Sequence, residues 1–439
     1  MKMHTMILAA FTAMLLAVTA SAETHIDVTT FEPTPPTKRV IPDDEIDDGP
    51  GFKAALKYII DNGGGTLEVP AGNYHIDKTV VVDLKNPANS AAVTVTIQGH
   101  GRGVTQIHSR TTDELFFFNN TLGNSQLGVY DLSFLAAREK CGAAIRFKNL
   151  ALCPGAPDFH SLSMSAVNFQ AEDWRNPTTV FYFQFGVNAA CVHQPVFDDV
   201  NFSNRLGTRG EEGEDPIYVG VAGFRIINGR GATFTNCYSK QVGRGIDLSS
   251  MSGDILLDRV TATGGDYGLF FTTANFLTSN VTVLDTQWNH SINGMKVHGA
   301  NKVTVKNLAA YHHCDNPRAD KYYYDIYVQN CTELVVSESV FHKRDSQYRV
   351  NICFNNTPTV AVRNNIFNCN NRDKNPNPPV VAVRMDDDVY DVLENPEEGD
   401  PKNLFFDGSD QVQENDPDPA DLPPGVTITH NIYNKNGTN

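Results

Sequence analysis

Three side chains able to exchange protons follow a recurring polar motif at one fixed distance. His290, His312 and Lys343 each stand five residues after the polar member of that motif. Imidazole changes charge near neutral pH, and a lysine amine becomes a base where its surroundings lower its pKa. Equal offsets in a regular repeat place side chains at equivalent points of neighbouring units. We therefore expect these three to stack and to supply general acid and base groups.

Cationic and aromatic residues accompany these histidines. Five of the thirteen histidines fall between residues 288 and 344. Guanidinium groups bind carboxylates and sulfates through paired hydrogen bonds, and aromatic rings pack on the apolar faces of sugars. These residue types favour an acidic sugar chain as the ligand. We expect substrate contacts from Arg225, Asp247, Trp288, Arg318, Arg344, Arg349 and Arg384.

The motif that sets these offsets is an apolar residue, any residue, a polar residue and a further apolar residue two or three positions later. Its polar members are Asp131, Asp199, Asn236, Asp258, Asp285, Asn307, Glu338, Asn364 and His430. Successive members from Asp199 to Asn364 are 37, 22, 27, 22, 31 and 26 residues apart. Such a repeat, containing short alternating strands, predicts a solenoid built of β-strands. The sequence therefore predicts an all-β chain folded as a parallel β-helix.

A second strand of each repeat is expected to carry the side chains that face a ligand. It starts after a variable turn, as in residues 244–248 and 293–297, and its alternation points Ile246 and Met295 inward. The residues between them form an outward row along the solenoid. We expect this row to contain Arg146, Arg225, Asp247, Leu269, Lys296, Tyr327, Asn351 and Arg384.

Residues 47–76 are expected to close the N-terminal end of the solenoid. A helix start at residues 48–50 precedes a helical pattern that the glycines 63–65 end, and a strand at 66–69 and a turn at 70–73 follow. The apolar positions of the helix are Phe52, Leu56, Ile59 and Ile60. Because the end of a β-helix exposes unpaired backbone and core side chains, this helix would act as a lid.

This segment resembles the opening of the pectin lyase-like superfamily, and residues 97–107 resemble the first full coil of that superfamily. The matching residues are Asp47, Asp48, Gly63, Gly64, Gly65, Pro70, Gly72 and Tyr74. The resemblance implies a right-handed parallel β-helix with a short N-terminal capping helix and a substrate groove along the outward row. Lyases, hydrolases, epimerases, transferases and viral adhesins share this shape, so the resemblance does not choose the chemistry.

Among these chemistries the residues favour β-elimination at a uronic acid. That reaction requires a cation against the carboxylate, a base for the C5 proton and an acid for the departing oxygen. The candidates, in that order, are Lys296 or Arg349, His290 or His312, and Tyr327 or Lys343. The sequence therefore predicts a polysaccharide lyase.

Two other functions remain open. A β-helix hydrolase needs paired carboxylates, and the Gly-His-Gly signature of the polygalacturonases matches only at residues 99–101, in the first coil. Phe197-Asp198-Asp199 occupies a motif position, where a structural role explains it. A different acid pair stays open among Asp247, Asp266, Asp315 and Asp325. The second alternative is a non-catalytic surface protein that binds glycans through the same groove.

The net charge of −16 comes mainly from one segment. Residues 386–421 contain fourteen acidic side chains and one lysine, a net of −13, and prolines in the same stretch predict a solvated excursion over about 386–425. Residues 386–388 are three aspartates that could bind calcium weakly. Pectate lyases hold calcium on clustered aspartates, which have no counterpart near Lys296, and no other cofactor or metal site is expected.

The first 22 residues look like a secretory signal peptide, with Lys2, an apolar run over residues 6–18 and a small-residue site at 20–22. Residues 23–46 would then form an extended leader and residues 47–439 one β-helix domain. We expect a secreted or periplasmic protein, without a membrane or nucleic-acid partner, that acts as a monomer or homotrimer. Its eight cysteines could pair in that compartment or stack in the core.

Overall fold

The protein is a parallel β-helix in the computed structural model. The structure describes residues 23–149, 159–172, 181–204, 220–273, 278–290, 293–312, 323–342, 349–368, 380–385, 416 and 418–434. Each strand pairs in parallel with the strand one coil later, and the ladders form three sheets that run along the solenoid. This confirms the predicted fold class.

Sheet 1 carries the outward row that the sequence predicted. Its strands are Val80–Asp83, Phe116–Asn120, Cys141–Asn149, Phe183–Ala190, Ala222–Ile227, the first part of Arg244–Asp258, Tyr267–Thr273, Asn293–His298, Tyr323–Gln329, Arg349–Asn355 and Val380–Met385.

Sheet 2 follows sheet 1 in each coil. Its strands are Thr24–Asp27, Gly65–Val69, Thr94–Gly99, the first parts of Gln126–Ala136, Leu162–Ala171 and Val196–Ser203, then Arg230–Thr235, the last part of Arg244–Asp258, Asn280–Leu284, Lys302–Lys306, Glu333–Ser337, Thr359–Arg363 and Val426–Thr429.

Sheet 3 completes the coil. Its strands are Gly72–Ile76, Thr105–Ser109, the last parts of the three long strands that begin at Gln126, Leu162 and Val196, then Tyr238–Lys240, Thr261–Thr263, Gln287–His290, Ala309–His312, Val340–His342, Ile366–Asn368 and Ile432–Asn434.

The repeated motif marks the corner between sheets 2 and 3. Eight of its nine polar members have a positive φ between 47° and 57°: Asp131, Asp199, Asn236, Asp285, Asn307, Glu338, Asn364 and His430. In the remaining coil the corner falls on Arg259, at φ 52°, one residue after the predicted Asp258. Asn and Asp tolerate this left-handed conformation better than most residues because their short polar side chains hydrogen-bond locally. The polar residues of the motif are therefore explained by the backbone conformation of the corner rather than by a catalytic role.

Inward-facing side chains stack in columns along the solenoid. The rings of Phe134 and Phe169 lie 5.3 Å apart in adjacent coils, and those of Phe341 and Phe367 lie 5.0 Å apart near the C-terminal end. Alternate residues of each sheet are buried in this way, which removes their apolar surface from water. Most of these side chains form one continuous core, and most of the residues between them are at least partly exposed.

The predicted capping helix, α1, spans Gly49–Asp61 and packs against the first strands of the solenoid. Its predicted apolar face is buried, and the ring of Phe52 contacts Tyr74 and Phe116 at 5.6 and 6.0 Å. The glycines 63–65 adopt φ values of 94°, 109° and 145°, which end the helix as expected. Within the predicted leader, Thr24–Asp27 forms a strand that pairs with Gly65–Val69.

Three cysteines lie in the core as free thiols rather than in disulfide bonds. Cys141, Cys237 and Cys331 are buried thiols, and burial raises the pKa of Cys237 to about 12 and that of Cys331 to about 11. Such thiols behave as small apolar side chains. In the part of the chain that the structure describes, no helix has the length and apolar composition required to cross a membrane.

Candidate functional site

Sheet 1 presents one continuous outward column of side chains, which we call the sheet 1 column. By strand register it consists of Val81, Phe117, Arg146, Asn188, Arg225, Asp247, Phe270, Lys296, Tyr327, Cys353 and Arg384. Five of the eight residues predicted for the outward row stand in it, and the backbone of Arg384 takes the register position after Cys353; the five are Arg146, Arg225, Asp247, Lys296 and Tyr327.

The prediction was wrong for the other two residues, Leu269 and Asn351. Leu269 is fully buried, because Gly268 aligns with Gly245 and so places Leu269 in the inward position of Ile246. Phe270 takes the outward place. Asn351 lies two residues before the column, where its amide donates a hydrogen bond to Asp325 at 2.6 Å.

Asp247 holds two arginines in place. Its carboxylate is 1% exposed and accepts hydrogen bonds from Arg244 Nη1 at 3.0 Å and Ser249 Oγ at 2.8 Å, and Arg225 Nε lies 3.7 Å away. A buried carboxylate is stable only when it is paired in this way. Asp247 therefore orients the two guanidinium groups and is too buried to serve as the substrate contact that the sequence predicted.

Four cations of this surface lie over aromatic rings. The pairs, with distances to the ring centroid, are Arg146 and Phe117 at 5.0 Å, Arg225 and Phe185 at 5.4 Å, Arg244 and Phe270 at 3.8 Å, and Lys296 and Tyr327 at 5.5 Å. The negative face of a ring attracts a cation and restricts its motion. The side chains of Arg225 and Arg244 remain about one third exposed, so part of each guanidinium faces solvent.

Lys296 combines partial burial with a nearby cation. It is half-buried, and burial together with the nearby Arg244 guanidinium lowers the pKa of its amine. The neutral amine, which can accept a proton, therefore forms at a lower pH than for an exposed lysine. On the same strand, burial and Lys296 lower the pKa of His298, whose Nε2 lies 2.9 Å from Asn330 Nδ2. A neutral imidazole can accept a hydrogen bond from that amide.

Two predicted aromatic contacts have structural surroundings instead. Trp288 is fully buried, and a Cβ added at Gly268 or Gly294 would meet its ring at 2.7 or 3.2 Å. These glycines make room for the indole, so Trp288 is a core residue and the predicted substrate contact was wrong. Tyr327 is 4% exposed and packs against Tyr324 and Cys353. The face of its ring contacts the Lys296 ammonium group.

The two predicted histidines are register neighbours. His290 pairs with His312 at the end of sheet 3, as their equal offsets predicted. Lys296 lies on sheet 1, so the histidines and the lysine belong to different sheets. The side chains of His290, His312, Arg349 and Arg384, and the whole of Arg318, Lys343 and Arg344, lie outside the described residues. Their predicted roles stay predictions.

Sequence reasoning missed the contribution of Arg244. Simple alternation assigns the outward place to Asp247 and gives no role to a residue three positions earlier. The Arg244 guanidinium nevertheless reaches along its own strand, and Nη1 donates a hydrogen bond to Asp247 Oδ2 at 3.0 Å.

The hydrolase signature lies away from sheet 1, and Asp247 and Asp325 are too far apart to act as an acid pair; pairs with Asp266, and with Asp315 outside the described residues, stay open. His100 lies beside sheet 2, with Nε2 2.6 Å from Glu68 Oε1, so residues 99–101 are remote from sheet 1. Asp247 and Asp325 stand three coils apart, roughly 14 Å at the strand spacing of about 4.8 Å, whereas inverting enzymes need about 6.5–9.5 Å. Among the described residues no group of three His, Cys, Asp or Glu side chains could hold a metal ion, and residues 386–388 lie outside them.

Solved structures resemble the chain only distantly. The A-module of the mannuronan C-5 epimerase AlgE4 from Azotobacter vinelandii is 14% identical, with 75% of this chain and 92% of that chain covered and a TM-score of 0.42. The AlgE6 A-module from the same organism is 14% identical, with 80% and 98% covered and a TM-score of 0.40. ORF18 of Geobacillus virus E2 is 12% identical, with 82% and 61% covered and a TM-score of 0.34.

Neither a protein-family model nor a curated protein matches the sequence. At the identities and TM-scores of the solved structures, the likeness supports no statement about chemistry. The parallel β-helix is shown by the chain's own strand register, and membership of the pectin lyase-like superfamily stays a prediction.

Proposed function

We propose that the protein is a carbohydrate-active enzyme that binds an acidic polysaccharide along the sheet 1 column and cleaves it by β-elimination. One observation carries the proposal: Lys296, an amine whose pKa is lowered, lies on the same outward surface as two arginines fixed by a buried carboxylate. Fixed guanidinium groups bind carboxylates, and an amine with a lowered pKa accepts protons.

Arg244, which is near enough to Lys296 to lower its pKa, fits the role of carboxylate clamp, and Arg225, three register steps from Lys296, fits the binding of a carboxylate on another sugar unit. Arg244 is held by a hydrogen bond to Asp247 and by the Phe270 ring, and Arg225 lies in ion-pair contact with Asp247 and over the Phe185 ring, so little conformational freedom is lost when a uronate binds. Neutralising the carboxylate makes the adjacent C5 proton more acidic, and a fixed cation stabilises the charge that develops as this proton leaves.

Lys296 fits the role of base better than the role of cation that the sequence first suggested. A neutral amine would take the C5 proton, the electron pair would form the C4–C5 double bond, and the bond from C4 to the leaving oxygen would break. The leaving oxygen then needs a proton. The candidate donors are His290, His312 and Lys343, since the burial of Tyr327 removes its hydroxyl from this role.

We also propose that the protein is exported from the cytoplasm. The pattern of residues 1–22 favours a secreted or periplasmic location, which is where long acidic polysaccharides occur as substrates.

A product assay tests the function. The purified protein would be incubated with polysaccharides of galacturonate, mannuronate, guluronate and glucuronate, and ultraviolet absorbance and reducing ends would be followed together. A rise in both indicates unsaturated products and supports elimination. New reducing ends without absorbance would show a hydrolase, and binding without either signal would show a glycan-binding protein. The absence of binding to every polymer would overturn the proposal.

A further inference from the structure

A cleft lies where the capping helix meets the beginning of sheet 1, far from Lys296. It encloses about 640 Å³, and α1, the strand Val80–Asp83 and the loop after it form its walls. This is within the usual size of small-molecule sites, about 300–1,000 Å³.

The charged side chains of the cleft favour an anion. Lys53, Lys57 and Lys85 line it together with Asp61 and Asp83, and Asp83 Oδ1 accepts a hydrogen bond from Asn119 Nδ2 at 2.9 Å. Lys57 is held by Asp61, with Nζ 2.6 Å from Oδ2, whereas Lys53 and Lys85 make no ion pair with any residue that the structure describes. These two ammonium groups are therefore available to a ligand, and an ammonium group binds carboxylate or sulfate through charge-assisted hydrogen bonds.

The remaining walls favour a sugar over a small inorganic anion. Ile60, Val81 and Pro87 supply apolar surface, and Val81 is 42% exposed. Thr121 also lines the cleft, and its buried hydroxyl has no hydrogen-bond partner among the described residues. An apolar wall beside cations and an unused hydroxyl matches a pyranose ring that carries a carboxylate or sulfate.

The cleft is continuous with the proposed substrate site by strand register. Val81 is the first residue of the sheet 1 column, and Lys296 follows seven register steps later. At about 4.8 Å a step the two are roughly 34 Å apart. Phe117 and Arg146, stacked on each other at 5.0 Å, occupy the two coils next to Val81.

We infer that this cleft is a distal subsite that binds the end of the acidic polysaccharide chain whose middle lies at Lys296. The inference rests on the proposed function and adds to it a preference for long chains. A short oligosaccharide occupies one of the two sites, whereas a long one occupies both and gains affinity because the second contact is intramolecular.

The test compares oligosaccharides of two lengths. The double variant Lys53→Gln/Lys85→Gln removes both unpaired ammonium groups, and Lys78→Gln is the matched control because Lys78 is exposed on the same end of the molecule and does not line the cleft. The probes are trisaccharides and dodecasaccharides of galacturonate, mannuronate and a glucuronate-containing glycosaminoglycan, with affinity measured by calorimetry and folding checked by circular dichroism.

We expect the double variant to bind the preferred dodecasaccharide about tenfold more weakly, with Lys78→Gln unchanged. Turnover of the trisaccharide should be the same in all three proteins. An unchanged dodecasaccharide affinity, or an equal loss in Lys78→Gln, overturns the subsite and leaves the proposed function standing if Lys296 variants still lose binding or turnover. If no probe binds the wild-type protein, the proposed function fails and the subsite fails with it.

Discussion

Lys296 Nζ lies 5.5 Å from the centroid of the Tyr327 ring, which belongs to the next coil of sheet 1. The negative face of the ring favours the charged ammonium, whereas burial and the Arg244 guanidinium disfavour it and lower the pKa of the amine. The arrangement therefore keeps the amine in a fixed position while making its proton easier to lose.

Substitutions at Lys296 distinguish a catalytic base from a side chain that only supplies positive charge. Lys296→Arg keeps a positive charge that cannot be given up, and Lys296→Met keeps a similar stem without charge. If the amine is the base, both variants should lose turnover by a factor of about 10² or more, whereas Lys296→Arg should retain binding of the polysaccharide. Turnover and affinity would be measured side by side.

Lys302→Met is the control, because Lys302 lies on sheet 2 and pairs with Glu333 at 2.9 Å. It should behave as the wild type. Wild-type turnover in Lys296→Arg would rule out the role of base.

The pH profile should show the lowered pKa of Lys296. Activity is expected to rise with pH as the amine loses its proton, with a midpoint below the ordinary lysine value of 10.5. Stability should change in the same direction: between the folded pKa and 10.5 the unfolded chain binds more protons, so the wild type gains stability with rising pH relative to Lys296→Met. Rate profiles and melting temperatures over this range measure both effects, and a flat difference between the two proteins would contradict the prediction.

The sequence predicted the solenoid better than it predicted the site. The corners at Asn307 and Asn364 require a backbone conformation that few residues tolerate, so the repeat was visible in the residue types. Alternation then placed Lys296 and Tyr327 in one column. It failed at Leu269 because the strand register aligns Leu269 with the inward Ile246 and Phe270 with Asp247.

The residue types also could not predict which candidate site residues are buried. Trp288 and Lys296 are eight residues apart and both suit a sugar-binding surface, yet one lies in the core and the other faces outward. Only the space left by Gly268 and Gly294 decides this for Trp288. Asp247 is similar, since its partner Arg244 becomes apparent only when side chains are placed in space.

Trp288→Phe tests that correction. A smaller ring in the same core position leaves a cavity, so the melting temperature should fall, consistent with a loss of about 1–3 kcal/mol. Affinity for the polysaccharide should not change. Phe270→Ala is the matched comparison, because Phe270 lies outward under the Arg244 guanidinium and its loss should weaken binding more than folding. A loss of affinity in Trp288→Phe without a loss of stability would show that the tryptophan contacts the polysaccharide.

The corner residues should respond in opposite directions to a pair of reciprocal substitutions. Asn364 has φ 57° and is exposed, so Asn364→Ala replaces a residue that tolerates the left-handed region with one that does not. Ala166 occupies the equivalent corner of an earlier coil at φ 54°. A left-handed conformation costs an ordinary residue about 1–2 kcal/mol, and Asn recovers part of it through local hydrogen bonding.

Asn364→Ala should therefore lower the melting temperature and Ala166→Asn should raise it, each by an amount consistent with about 0.5–1 kcal/mol. Thermal unfolding followed by circular dichroism checks both. Neither position belongs to the sheet 1 column, so polysaccharide affinity is the internal control and should stay constant. If both substitutions shifted stability in the same direction, contacts with neighbouring side chains would outweigh backbone conformation, and the motif would need a different explanation from the one its φ values give.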